Sequence, residues 1–199
     1  MVIDLEEKYK KLMSYVGKIN NLQLRLSVEK LLNDKKESLI NRAGSPDRIE
    51  NDIYYKGDHH FFKGGLLCHL LEVTEYAVAI AESSNKKIDM DLLISGACLH
   101  DIGKIITYQE WNDNNKLKNS STIYAKKLQH SHLGIQIVSE YLDENISEEI
   151  KSEIYHIIAS HMSKNLNTLT NGALVQPNTI EAKIICESDR LSWMLCNYE

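Results

Sequence analysis

Proline is almost missing from this chain, with two in 199 residues, and glycine contributes only nine. Sandwiches and barrels of short strands need such residues at turn after turn, so an all-β plan is excluded. No apolar run approaches the ~20 residues of a membrane-spanning helix, so no membrane partner is expected. Cysteine stands at Cys68, Cys98, Cys186 and Cys196 without a Cys-x-x-Cys pair, and five of the first ten residues, MVIDLEEKYK, are charged. A disulfide framework and a secretory leader are therefore not expected, and the reading is a soluble cytoplasmic protein with reduced thiols. Positive charge is not in excess either: 23 Lys and Arg against 28 Asp and Glu give a net charge of -5. With no overall basic field, a nucleic acid would have to be gripped locally.

What the chain has in abundance is apolar residues at three- and four-residue spacing, the period of helices packed on one another. Helices are predicted over residues 4–16, 20–33, 66–83, 89–101, 122–143, 148–162 and 179–195, which makes the fold all-α. Residues 1–55 read as an N-terminal helical arm packed on a main domain of residues 56–199. Between them Ala43 to Gly65, with Pro46, Gly57, Gly64 and Gly65, reads as irregular, and the polar residues 109–121 read as an exposed loop bordering a site.

At 3.6 residues per turn, Leu66, His69, Val73, Tyr76 and Ile80 share one stripe, so His69 points inward. A single histidine there is ordinarily a core residue. Asp101, however, shares a face with Ile94, Ala97 and Cys98 at a helix C-terminus. Burial and the helix dipole both disfavour its charge there, so a cationic group is expected opposite it. His100 diverges by about 100° on a helix, yet at a helix end two adjacent side chains can converge on one ion. Gly103 reads as the residue that lets the chain turn out of the helix. His130 lies on the stripe of Leu133, Gly134, Ile137 and Tyr141, and His161 on that of Ile150, Ile154, Ile157 and Ile158. His132 and His156 fall on more polar faces, so periodicity favours His130 and His161 over them. Asp189 joins Ala182, Ile185, Cys186 and Trp193, and Arg190 diverges from it too far to neutralise it. Four inward histidines and two inward aspartates on five helices are economically explained by convergence on a cation. Imidazole and carboxylate without thiolate suit a divalent transition metal, Mn, Fe, Co, Ni or Zn.

The succession His69, His100-Asp101 with Ile-Gly-Lys, and Asp189 resembles the signature of the HD-domain metal-dependent phosphohydrolases. The segment HHFFKGGLLCHLLEV (residues 59–73), with CLHDIGK, His130-x-x-x-Gly134, HIIASH (156–161) and PNTIEA before Asp189, is similar to the HD domain of YhaM-type 3′-to-5′ exoribonucleases. The likeness spans roughly residues 10–195 and implies an HD-domain helical bundle. It further implies one or two ions: His69, His100, Asp101 and Asp189 bind one metal, and Asp101 bridges to a second held by His130, His156 and His161, or, with the second absent, His130 or His161 serves as a proton donor instead. Two departures stand out. Those exoribonucleases carry an N-terminal OB-fold that grips single strands, and nothing in the 199 residues resembles one. Where they often show two adjacent histidines, this chain has His161-Met162.

The implied activity is a phosphodiesterase or 3′-to-5′ exonuclease on short RNA, DNA or nucleotides, using a metal-activated water held about Asp101. Lys104, one turn past Asp101, would hold a substrate phosphate as a point charge, and His60, beside His59 and ahead of Gly64-Gly65, would protonate a leaving group. A nucleotidase or pyrophosphohydrolase on mononucleotides is the first alternative. The second is a non-catalytic module that binds a nucleotide or a partner protein, against which an intact buried polar set speaks.

Overall fold

The computed structural model describes residues 3–46, 48–50, 53–55, 59–111, 121–125, 127–163 and 174–196. Helices α1 (Leu5–Val16), α2 (Leu22–Asp34) and α3 (Lys36–Ile40) come first, then a ribbon of β1 (Arg48–Glu50) antiparallel to β2 (Ile53–Tyr55). They are followed by α4 (Gly65–Ser83), α5 (Met90–Leu99), α6 (Lys104–Thr107), α7 (His130–Ser139), α8 (Glu148–Ser160) and α9 (Ile180–Leu195). Apart from this short ribbon, the fold is the helical bundle that the periodicity predicts.

Several helices start where a side chain caps them. Asp4 accepts from Glu7 N, Asn21 from Leu24 N, Asp89 from Asp91 N and Leu92 N, Ser147 from Ile150 N and Thr179 from Ala182 N. Each satisfies amides that the first turn leaves unpaired, an effect of about 1 kcal/mol per cap.

Helix α4 is buried along most of its length because it runs between two apolar clusters. Leu66, Leu67, Leu70, Leu71 and Val78 belong to one buried cluster with Tyr9, Leu12 and Val16 of α1 and Leu24, Val28, Leu31 and Leu32 of α2. Val73, Ala77 and Ala81 belong to another, with Leu93 and Ala97 of α5, Ile157 of α8 and Ala182, Ile184 and Ile185 of α9. At Gly96 a Cβ would come within 2.8 Å of the Ile157 side chain, so α5 approaches α8 closely there. Among the described residues no helix is long and apolar enough to cross a membrane.

Four local expectations need correction. The segment Ala43 to Gly65 is not wholly irregular, since it contains the β1–β2 pair, and α3 was not foreseen. The helix expected over 122–143 reduces to α7, because Thr122 is tied to the end of α6 through Thr107 O and Ile106 O at 2.8 Å each. The helix expected to run to residue 101 ends at Leu99, and Lys104 opens a separate turn. Gly103 is not an exit in unusual backbone space: its φ is -63°, and glycine is required because a Cβ would lie 1.9 Å from His130 O and 2.7 Å from Gly134 N. This close approach seats the start of α7 against Asp101. Of the loop expected at 109–121, residues 112–120 lie outside the described residues.

Candidate metal centre

Five helices and their ends deliver the inward groups to one place. His69 comes from the first half of α4, His100 and Asp101 from the turn after α5, His130 from the first residue of α7, His161 from the end of α8 and Asp189 from the middle of α9. Asp101 sits at the centre, 1% exposed. Its Oδ2 lies 3.1 Å from His69 Nε2 and 3.5 Å from His100 Nε2, and these two rings also face Asp189 Oδ1 at 3.0 and 3.9 Å. Its Oδ1 lies 3.2 Å from His130 Nε2 and 3.4 Å from His161 Nε2. Two ligand sets therefore share one carboxylate: His69, His100, Asp101 and Asp189, and Asp101, His130 and His161. The side chains of Asp189 and His130 are 19% and 11% exposed, which marks the open rim of an otherwise buried site.

The outer nitrogens of the rings are tied back. His100 Nδ1 donates to Ala97 O and His161 Nδ1 to Ile158 O, both at 2.8 Å, and His69 Nδ1 lies 3.0 Å from Ser192 Oγ. A carbonyl only accepts, so Nδ1 of His100 and of His161 carries a proton, and Nε2 of each ring faces the carboxylates. Lone pairs and carboxylate oxygens at these separations repel unless a positive charge lies between them. Metal bonds of about 2.1 Å at angles of 90° to 109° would set neighbouring ligand atoms about 3.0 to 3.4 Å apart, close to the shorter separations here. Both oxygens of Asp101 are, moreover, buried without a well-directed hydrogen bond. These residues fit a divalent transition metal.

The charges respond to this crowding. Burial alone would raise the carboxyl of Asp101, but the Lys104 ammonium outweighs it and holds it well below its ordinary range. Asp189 is likewise lowered, against its burial, by His69. Burial lowers His100 and His130 and so keeps them neutral. For His69 burial acts the same way, yet Asp101 and Asp189 prevail and raise it, so a proton stands where a cation would neutralise the pair. The thiols of Cys68, Cys98 and Cys186 are pushed up to about 12 by burial and belong to no ligand set.

A model of the HD domain matches residues 66–194. The chain belongs to the HD-domain family. No solved structure matches it. Membership supports a metal-dependent hydrolase in general, and the buried histidine and aspartate cluster of this HD domain is consistent with metal binding.

The remaining sequence-predicted residues of the HD domain lie as follows. Lys104, 5% exposed, places Nζ 2.5 Å from Asp101 Oδ2 and donates to Gly44 O at 2.8 Å, so it is the cationic group opposite Asp101. Arg190 pairs with Glu187 at 2.7 Å and not with Asp189. His156 is not brought to either ligand set: half-buried on α8, its Nε2 accepts from Asn178 N at 3.1 Å. His132 is exposed. His60 is buried beside the first set, its Nε2 3.1 Å from Glu72 Oε2 and its Nδ1 3.0 Å from His59 Nδ1. Sequence reasoning missed Glu72 and Ser192. The signal available was their spacing, each three residues after an inward group, His69 and Asp189, and so on the same helix face.

Proposed function

We propose that this HD domain is a phosphodiesterase that cleaves nucleotides or short nucleic acids. In this reading His69, His100, Asp101 and Asp189 hold one divalent transition-metal ion, and Asp101, His130 and His161 hold a second. The carrying observation is that the two oxygens of Asp101 face different pairs of imidazoles. Bound cations would supply acidification of water and neutralisation of phosphoryl charge.

The protein's own groups do the rest. Asp101 and Asp189 bring negative charge into a buried site, and the Nδ1 hydrogen bonds of His69, His100 and His161 fix which nitrogen faces inward. Lys104 balances Asp101, and in this reading its ammonium would also attract a phosphoryl oxygen as a point charge. Buried as it is, His60 acts in this reading through His59 rather than on the leaving group. Next along the chain, Phe61 packs edge-on against Trp111, with ring centroids 5.4 Å apart.

The test is a substrate panel with Mn²⁺-loaded protein: an end-labelled pentanucleotide, linear diadenylate and free mononucleotides. Release of mononucleotides from the first two, with mononucleotides left intact, is the expected result. Phosphate release from mononucleotides with intact diesters would replace the reading with a nucleotidase.

A further inference from the structure

Behind the first ligand set, two chains of hydrogen bonds end on one carboxylate oxygen. Glu72 Oε2 accepts from Ser192 Oγ at 2.9 Å and lies 3.1 Å from His60 Nε2. Ser192 Oγ lies 3.0 Å from His69 Nδ1, and His60 Nδ1 lies 3.0 Å from His59 Nδ1. A carboxylate can only accept, so the hydroxyl and the imidazole both donate to it. Having given its one proton to Glu72, Ser192 receives the Nδ1 proton of His69. His60, with its proton on Nε2, offers a bare Nδ1, and the contact to His59 then closes through a proton on His59 Nδ1. The other nitrogen of the last ring is then Nε2, which on His69 faces Asp101 and Asp189 at 3.1 and 3.0 Å and on His59 carries the lone pair.

The backbone supports the same arrangement. His60 has φ 48°, a left-handed conformation uncommon outside glycine and concentrated at functional sites. Its carbonyl accepts from Gly44 N at 2.9 Å and its amide donates to Cys196 Sγ at 3.2 Å. A Cβ on Gly65 would lie 1.9 Å from that carbonyl, and one on Gly44 would lie 2.6 Å from the Cβ of His60. Three segments of the chain thus hold His60 in a strained conformation with its ring on Glu72.

We propose that Glu72 is a positioning residue that, through Ser192 and His60, fixes the Nδ1 protons of His69 and His59 and so commits Nε2 of both to the site. The His59 ring lies 5.0 Å from that of His69, so the relay adds a second oriented imidazole to the edge of the first ligand set. The consequence for metal rests on the reading of the site as a metal centre. The protonation pattern does not.

Long-range ¹H–¹⁵N correlation spectra of histidine-labelled protein at pH 8 read the pattern directly. The metal-free wild type is expected to show His60 as the Nε2–H tautomer and His59 as Nδ1–H, with Nδ1–H on His69 both metal-free and with Zn²⁺. In Glu72→Ala the His59 and His60 signals are expected to move to mixed-tautomer positions. Calorimetric affinity for Mn²⁺ should fall about 10- to 100-fold, and Glu72→Gln, which keeps an acceptor oxygen, should restore most of it. Unchanged tautomers in Glu72→Ala, or a doubly protonated His60 in the wild type, would overturn the inference. Should Glu72→Ala fail to fold, Ser192→Ala cuts one branch alone: the His69 pattern should change while His59 and His60 keep theirs, and the reverse would refute the relay. A wild type with the expected tautomers that binds no Mn²⁺ supports the relay and sinks the metal reading.

Discussion

Replacement of Asp101 by Ala is expected to empty both metal positions at once and to lower phosphodiester cleavage at least about a thousandfold, some 4 kcal/mol of barrier. The reason is the double use of one carboxylate. Oδ2 serves the set of His69, His100 and Asp189, and Oδ1 serves the pair of His130 and His161, which has no other carboxylate in its set. Asp189→Ala should be milder in metal content, because it touches the first set alone. The helical circular dichroism of Asp101→Ala should persist, since both apolar clusters form without this residue. Metal-dependent turnover at the wild-type rate in Asp101→Ala would contradict the assignment.

Lys104→Met should have the largest effect on stability, a loss of about 3 to 5 kcal/mol in the metal-free protein, because it removes one partner of a buried ion pair and leaves the other charged. The pair is tight, with Nζ 2.5 Å from Oδ2, and both residues are almost wholly inaccessible. Its pH window follows from the two shifts. Asp101 is held below its ordinary 3.8, so its contribution is full above that value and is lost as the pH falls through the lowered one. Lys104 is raised above its ordinary 10.5 by Asp101, which overcomes the opposing effect of burial, so its contribution is full below 10.5 and is lost as the pH rises through the raised value. From pH 5 to about 6.5 the loss on substitution should therefore be nearly constant, and above that it should grow, because His69, raised by the same Asp101, gives up its proton and no longer offsets the missing ammonium. Saturating Mn²⁺ should restore much of it, because bound cations supply the positive charge that the lysine did. Urea denaturation with and without Mn²⁺ measures both quantities. A loss that metal leaves unchanged would mean that Lys104 serves packing and not the charge of Asp101.

Much of this site could be read from the sequence because each inward group sits in a regular helical pattern. The stripes of α7 and α8 separate His130 from His132 and His161 from His156, and the structure carries the first of each pair to Asp101. His156 entered the ligand set through the family likeness, against its own polar face, and the structure leaves it on the Asn178 amide. The need for a cation opposite Asp101 was legible, but its identity was not, since Lys104 reads equally well as a phosphate hook and as an exposed lysine with no role. Glu72 and Ser192 were hidden for a similar reason: a polar residue one turn from a ligand looks like any residue of a mixed face until the partner helix is placed. Gly103 shows the limit most sharply. Its need for a missing Cβ comes from His130, twenty-seven positions away, and no local backbone rule contains that contact. The β1–β2 pair, three residues to a strand, is too short to leave a clear alternation in the sequence.

Metal content tests the central claim most directly. Protein purified without chelator, reconstituted with Mn, Fe or Zn and desalted, would be analysed by inductively coupled plasma mass spectrometry beside Asp101→Ala. The account predicts about two ions per wild-type chain and loss of both in the variant. An unmetallated wild type after reconstitution, or a variant that keeps both ions, would contradict it.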